Sequence, residues 1–435
     1  MKLESILSFG RKIIPKSLFR FFQPYYHLLL AITGNIKYGF PGKKMIMIGI
    51  TGTNGKSTTA DLVTAVLKNS GLKTGMTSSV AFEIAGKRIE NDTSRTTLGR
   101  WKLQKLLRQM VDAGCTHAVV EVASEGIAWH RVWGIAFDLA IFTNLSPEHL
   151  NFHKTMENYR AAKGKLFSGL AKSKKKGFPK TIIVNSDDKE WKYFYNFSAD
   201  KKYTYGLENG AIWATNMIFA EKCEFEIVEN DKKYPVKSAL PAKFNIYNML
   251  AAYTCGRALE IEPSIIIKGL ESVKLVKGRM EEISNKKDIK IFVDYAVTPE
   301  SFELLFRELK RITPGRIISV FGATGDRDKT KRPKLGAVAA KLTDEVIITD
   351  EESYSENPAL IVDSIAEGAY EVRKKGIEII LDRREAIKKA LEMATPRDTV
   401  VITGMGHEKF RNMGGNKKIP WDEPEIIKEI LKELE

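Results

Sequence analysis

A chain of 435 residues with 43% hydrophobic content is long enough for two or three domains, each with its own core, and needs no disulfide or structural metal to hold them. Cys115, Cys223 and Cys255 stand alone without C-x-x-C spacing, which argues against a zinc knuckle or a disulfide framework and fits three reduced thiols in a cytoplasmic protein. The net charge of +15 suits nucleic acid, an acidic membrane or anionic small substrates; the densest run, Lys172 to Lys176, reads as a solvated loop without interleaved aromatics, so nucleic acid is not the expected partner.

Residues 1–43 read as a short leader ending in the breaker Gly39-Phe40-Pro41-Gly42. The leader carries no secretory signal. Its stretch from Leu18 to Ile32 is rich in Phe, Tyr and Leu, but Arg20, Gln23, Pro24 and His27 interrupt it. That is too short and too broken to span a bilayer, and it reads as a core helix, with a surface touching membrane as the alternative. Strands and helices then alternate, which predicts parallel α/β units. Met45 to Ile50 is a continuous apolar run with a helix expected from Ser57. Ala118 to Val122 and Leu139 to Phe142 read as buried strands, and Thr155 to Leu170 has helical periodicity. Tyr203 to Pro235 leans to short β pieces, followed by a helix over Asn245 to Leu259.

A second α/β series is expected after Gly278, with the boundary near residue 275. Its strand candidates are Ile289 to Val293, Ile317 to Phe321, Glu345 to Ile348, Ile377 to Leu381 and Thr399 to Ile402; a helix over Glu423 to Leu434 closes the chain. The domains expected are therefore the leader 1–43, a central domain 44–275 and a C-terminal domain 276–435.

Gly52-Thr53-Asn54-Gly55-Lys56-Ser57-Thr58 follows the first strand and opens a helix. Backbone N–H groups in such a loop point at phosphates, and the helix N-terminus adds a favourable partial charge. Lys56 is placed to reach the β- and γ-phosphates of ATP, and Ser57 to ligate Mg²⁺. Ile50 stands where the full Walker A pattern has its first Gly. The loop alone leaves open a motor, a kinase, a transport ATPase or a ligase.

The strings around it narrow the choice. TGTNGKST, MVDAGCTHAVVEV, FTNLSPEHLNFH, AAKGKLF, FNIYN, KGRME, VDYA, FGATGDRDKTKRP and DRREAI occur in that order from Ile50 to about Phe410. On these strings the chain resembles the Mur ligases, with the nearest likeness to UDP-N-acetylmuramoyl-dipeptide ligases of the MurE type. The resemblance implies an α/β fold, with a central P-loop NTPase-like parallel sheet and a C-terminal Rossmann-like domain. It also implies an ATP- and Mg²⁺-dependent ligase that phosphorylates a substrate carboxylate and lets an amino-acid amine attack the acyl-phosphate, in peptidoglycan synthesis. The implied partners are ATP, an amino acid and UDP-N-acetylmuramoyl-dipeptide. The protein is expected to be a monomer, with possible peripheral membrane contact through the leader.

The resemblance also assigns residues. Glu121, at a strand end, is implied with Ser57 at one Mg²⁺, and His149 with a carbamylated Lys163 at a second. Read bare, Glu121 could as well be an exposed strand-end carboxylate, His149 a structural histidine and Lys163 a solvated charge. Asn245 and Asn248, which share a helical face, are implied to read adenine. Arg279 is implied to reach the γ-phosphate on domain closure, and Asp294 the ribose. The loop with Asp326, Arg327, Asp328, Lys329 and Lys331 follows a strand where open sheets place ligands; Lys329 is the catalytic candidate, while Asp328 and Lys331 also read as a solvated turn. Thr96, Thr97, Ser124 and Arg131 are implied for the donor, and Glu352, Tyr354, Gly404, His407 and Glu408 for the amino acid.

Four departures from the family pattern bear on the donor and acceptor. The leader stands where a full uridine-nucleotide-binding domain is usual, so that pocket is expected to be absent or reduced. Glu351-Glu352-Ser353-Tyr354 replaces D-N-P-R, so Tyr354 takes the place of an arginine and two carboxylates favour an acceptor with an extra amine, such as lysine or ornithine. Ala123-Ser124-Glu125 replaces S-S-H, and Val297 replaces a histidine. A Mur-like ligase for a different donor and a P-loop ATPase without ligase activity are the competing readings.

Overall fold

Long apolar runs bury strands on both faces, and amphipathic stretches become the helices that cover them. The computed structural model describes residues 16–93, 95–219, 223–414 and 417–435; the first fifteen residues of the expected leader lie outside these. The strands of the larger sheet are β1 (Ile46–Thr51), β2 (Thr74–Thr77), β3 (Ala81–Ile84), β4 (Lys87–Glu90), β5 (His117–Glu121), β6 (Leu139–Phe142), β7 (Thr181–Asn185), β8 (Lys201–Gly206), β9 (Ile212–Phe219), β10 (Cys223–Glu229) and β11 (Lys232–Ser238). They lie in the order β11-β10-β9-β8-β7-β6-β1-β5-β2-β3-β4. The central strands are parallel, and antiparallel β3–β4 and β9–β11 form the two rims.

A smaller sheet contains β12 (Glu281–Glu282), β13 (Lys290–Asp294), β14 (Ile317–Phe321), β15 (Glu345–Ile348), β16 (Ile377–Ile379) and β17 (Thr399–Thr403), ordered β12-β13-β17-β14-β15-β16. Only β12 runs antiparallel to its neighbour. A ribbon of β18 (Phe410–Met413) and β19 (Lys417–Pro420) follows.

The helices of ten or more residues are α1 (Lys16–Lys37), α2 (Lys56–Asn69), α3 (Arg100–Asp112), α4 (Met156–Lys172), α5 (Lys243–Ala258), α6 (Pro263–Ser272), α7 (Pro299–Ile312), α8 (Lys331–Leu342), α9 (Pro358–Val372), α10 (Arg383–Met393) and α11 (Glu423–Glu433). Val63 and Val66 of α2 pack with Ile246 and Leu250 of α5 and with Ile266 and Leu270 of α6 on one face of the large sheet. Leu103 and Leu107 of α3 and Leu166 and Phe167 of α4 fill the other. The smaller sheet is sandwiched in the same way by α7–α9 and by α10–α11. Arg383 of α10 and Glu423 of α11 form a fully buried ion pair at 3.0 Å.

Two expectations change. The leader stretch is helical but is not a core helix. Ala31 and Asn35 are buried, the latter donating to the carbonyls of Ala31 and Trp133, whereas Phe22, Tyr25, Leu29 and Ile36 are exposed. The spacing of those four puts them on one stripe of α1, turned away from the core. Nor is the lysine run wholly solvated. The Lys176 side chain is only 8% exposed, pairs with Asp138 at 2.5 Å and donates to the carbonyls of Gly42, Met45 and Ala136. One lysine thus satisfies three backbone acceptors that the strand ends leave open. All three cysteines are buried free thiols.

Candidate active site

Strand β1 lies between β5 and β6, where the chain order of the sheet reverses, and this is where an open α/β sheet holds ligands. The phosphate-loop string leaves the carboxyl end of β1 and enters α2. Gly55 caps the helix at φ 83°, and a Cβ there would stand 2.3 Å from Asn248 Oδ1, so left-handed backbone and close approach both demand glycine. Asn144, just beyond β6, clamps the loop: its Oδ1 accepts from Asn54 N at 2.9 Å and its Nδ2 donates to Asn54 O at 3.0 Å. Lys56 Nζ donates to Thr53 O at 2.7 Å.

Ser57 Oγ donates to Glu121 Oε2 at 3.0 Å, and Glu121 is buried. The same carboxylate accepts from Ser79 N at 2.7 Å and Ser79 Oγ at 3.2 Å, and Ser79 Oγ lies 2.9 Å from the Thr96 hydroxyl. Thr97 Oγ1 donates to Glu121 O and accepts from Ala123 N, while Arg131 donates to Thr97 O at 2.8 Å. Ser124 Oγ pairs with His153 Nε2 at 3.0 Å. Thr96, Thr97 and Arg131 are therefore one network behind the Ser57–Glu121 pair, and Ser124 stands beside it on His153.

Lys163 is not a solvated charge. It is buried on α4, donates to Gly52 O at 2.6 Å and lies 4.4 Å from the Tyr159 ring. Burial, reinforced by the nearby Lys56, pushes its ammonium well below the usual lysine range. His149, at φ 57°, faces Glu125 at 3.3 Å through Nδ1 and Glu148 at 3.6 Å through Nε2. The hydrogen bond from His149 holds the Glu125 carboxyl below its ordinary value. Glu125 thus meets His149 from the position where the family string has a histidine.

The second sheet reaches the same centre. The turn at Gly278 has φ 65°, and a Cβ there would meet His407 N at 2.3 Å, so only glycine lets the linker press against the Gly404–His407 loop. Arg279 next to it stacks on Tyr295 at 4.7 Å and lies 3.5 Å from Ser57 Oγ, and its Nε is buried without a hydrogen-bond partner. Lys277 and Lys409 both pair with Glu90 of β4, bridging the two sheets. Asp294 is buried and accepts from Met280 N and Ala296 N, each at 2.7 Å. Burial lowers His407 to about 3, so its imidazole is neutral, and its ring hydrogen-bonds the backbone of Ser79.

A cavity of about 410 Å³ opens between the two halves, within the range of small-molecule sites. Gly55 and Ser57 floor one end; Asn248, Arg279, Asp294 and Tyr295 line the rest. Asn245 stands behind, accepting from Asn248 at 3.1 Å. Tyr247, Asn185, Asp188 and Glu300 also line it and were not anticipated. Tyr247, Tyr295 and Asn144 lay inside quoted strings, so a signal for them existed; Ser79 carried none.

Two expected residues stand elsewhere. Lys329 is exposed and pairs with Glu356 at 3.0 Å, so it is not at the reacting centre in this conformation, whereas Lys331, expected in a solvated turn, donates to Val297 O and adds positive charge near Glu148. Both follow from α8 starting at Lys331, which turns that side chain inward and leaves Lys329 on the loop before it. Glu351 is buried and accepts from Thr324 at 2.8 Å, so only Glu352 of the two carboxylates has any exposure. Glu352 accepts from Asn412, which also donates to the Tyr354 hydroxyl at 3.2 Å, and burial raises its carboxyl to about 7. Arg327 hydrogen-bonds Tyr354, and Glu408 lies near both Tyr354 and Glu352.

The family profile described as Mur ligase middle domain matches residues 50–256, and that of the Mur ligase, glutamate ligase domain matches residues 278–406. A UDP-N-acetylmuramoyl-L-alanyl-D-glutamate–2,6-diaminopimelate ligase of Clostridium acetobutylicum is 38% identical over 409 residues, covering 93% of this chain and 82% of its own length. A solved structure of a ligase of that name superposes with a TM-score of 0.60 at 28% identity, over 90% of this chain and 79% of the other. Folylpolyglutamate synthase of Mycobacterium tuberculosis, complexed with ADP and AMPPCP, shares the fold with a TM-score of 0.72 at 19% identity, over 87% and 92% of the two chains.

Proposed function

The chain belongs to the Mur ligase family and is an ATP-dependent amide ligase, and from that premise we propose that it adds the third amino acid to UDP-N-acetylmuramoyl-dipeptide in peptidoglycan synthesis. The observation that carries this reading is the meeting of Ser57, Glu121 and Arg279 at one end of the interdomain cavity, with Thr97 and Arg131 directly behind. The phosphate site and the Thr97–Arg131 network meet at one residue, Glu121, whose carboxylate accepts from Ser57 and whose backbone carbonyl accepts from Thr97.

ATP lies along the cavity, its phosphates on the Gly52–Thr58 loop, its base toward Asn248 and its ribose toward Asp294. The donor carboxylate, held through Thr97 and Arg131, attacks the γ-phosphorus; the bond to ADP breaks and an acyl-phosphate forms. The acceptor amine then attacks the acyl carbon, an amide forms and phosphate leaves. Lys56 and Arg279 neutralise the charge that spreads over the transferred oxygens. The contacts of Arg279 and His407 with the central domain keep water from the acyl-phosphate.

Ser57 Oγ and the buried Glu121 carboxylate are hard oxygen donors that fit Mg²⁺, which would supply charge neutralisation at the phosphates. Lys163 as an ammonium does not fit a second cation. As a neutral amine it can add CO₂ to form a carbamate, an anionic oxygen donor near His149. The distal end of the acceptor meets Glu352 and Tyr354, which suit an ammonium-bearing side chain; 2,6-diaminopimelate and lysine both have one.

The test is product formation, detected by mass, from ATP, Mg²⁺ and UDP-N-acetylmuramoyl-L-Ala-D-Glu across 2,6-diaminopimelate, lysine and ornithine. A product with one of them, lost in Lys56→Ala, is the expected result. ATP binding with no product from any acceptor refutes the donor assignment.

A further inference from the structure

We propose that the exposed face of α1, with the adjoining face of α3, is a docking surface for an anionic lipid bilayer. The inference is independent of which donor the ligase uses. Leu29 and Ile36 are 58% and 63% exposed, and Phe22 and Tyr25 on the same stripe are also exposed. From Phe22 to Ile36 this apolar band runs about 21 Å along the helix. Trp101 and Trp133, each 38% exposed, sit beside it: Trp101 Nε1 donates to Thr33, and the Trp133 carbonyl accepts from Asn35. Aromatic rings flanking an apolar stripe are the composition of helices that lie in a membrane interface.

The segment of sequence that carries the stripe is strongly basic. Residues 1–44 contain eight Lys and Arg against a single Glu, a formal +7 of the chain's +15. α1 itself has no acidic residue. Lys37 lies over the Trp101 ring at 4.7 Å, and Lys102 and Lys105 are exposed on α3, whose sole acid, Asp112, is paired with Arg108. Basic side chains bordering apolar ones match anionic headgroups above an acyl layer; phosphates of a nucleic acid would satisfy the lysines and leave the apolar stripe in water. No helix among the described residues is long and apolar enough to cross a membrane, so the surface lies on the bilayer.

The experiment is co-sedimentation of the full chain with phosphatidylcholine vesicles, with and without phosphatidylglycerol, while following tryptophan emission. The expected result is binding to the anionic vesicles alone, weakened by salt, with a blue shift that Trp101→Phe diminishes. Leu29→Asp with Ile36→Asp, and separately Lys102→Glu with Lys105→Glu, should each reduce the bound fraction at least tenfold, with thermal melting and ATP-dependent ligation unchanged. Equal binding by the variants, or no binding of the full chain to anionic vesicles, overturns the proposal. So does a dimer that dissociates in the Leu29→Asp, Ile36→Asp variant, or RNA binding lost in the lysine variant alone.

Discussion

Arg279 is a cation that the C-terminal domain delivers to the phosphate loop, within 3.5 Å of Ser57 Oγ, which makes Arg279→Met an incisive perturbation. Methionine keeps much of the stem volume and removes the guanidinium. In the structure that group is 3.5 Å from Ser57 Oγ and stacked on Tyr295, with its Nε buried and unpartnered. A transferred phosphoryl oxygen about 4 Å away, at an effective dielectric near 20, interacts with it by roughly 4 kcal/mol. That is about a thousandfold in rate if the contact strengthens in the transition state. The stability cost is smaller: loss of the cation–π contact is about 1 kcal/mol, a fall of roughly 2–4 °C in the melting temperature of a domain this size. Steady-state ligation with mass-detected product, KM for ATP and a thermal melt together read all three quantities. The expected pattern is kcat down by a factor on the order of 100–1,000, with KM for ATP changed only a few-fold. A kcat within about fivefold of the unmodified enzyme would refute the claim that Arg279 acts on the transferred phosphoryl group.

Gly55→Ala should raise KM for ATP and destabilise by about 1–2 kcal/mol from left-handed backbone alone, since its Cβ also displaces Asn248; isothermal ATP titration and melting check both effects. Breaking the buried Arg383–Glu423 pair with Glu423→Ala should cost about 3–5 kcal/mol, seen as a lowered denaturant midpoint. The Glu352 carboxyl has a folded value near 7 against 4.5 unfolded, so the folded state holds the extra proton between those values and stability falls as pH rises through them. Glu352→Gln should flatten the melting profile from pH 4.5 to 7 and melt higher than the unmodified protein above pH 7. ¹³C-labelled bicarbonate should give a carbamate resonance that Lys163→Arg abolishes, and Lys163→Ala should lower ligation at least a hundredfold, as expected for an essential charge at the phosphates.

Much was legible from order and periodicity. The apolar runs at Leu139–Phe142, Ile317–Phe321 and Glu345–Ile348 are strands at the residues anticipated, because a strand buried on both faces advertises itself as a continuous apolar run. The phosphate loop could be read because its chemistry is local: glycines, a lysine and a hydroxyl at fixed spacing between a strand and a helix. Asn245 and Asn248 could be paired because helical spacing is itself geometry.

What could not be read depends on which way a side chain turns and on what faces it from far along the chain. Lys163 and Lys176 look like their solvated neighbours until α4 and the strand ends enclose them, and it is burial, absent from any string, that pushes the Lys163 ammonium well below the usual lysine range. Lys329 stays outside on the loop and Lys331 turns inward because the start of α8 decides which of them faces the centre. The leader's apolar residues suggested a core, yet a core helix needs partners on every side, and among the described residues Phe22, Tyr25, Leu29 and Ile36 of α1 stay exposed. Sequence alone therefore determined the fold class and the phosphate loop, whose instructions are short-range. Tertiary structure decided the meeting of Ser57, Glu121 and Arg279, because contacts between residues 222 positions apart exist only once both sheets have folded and closed on each other.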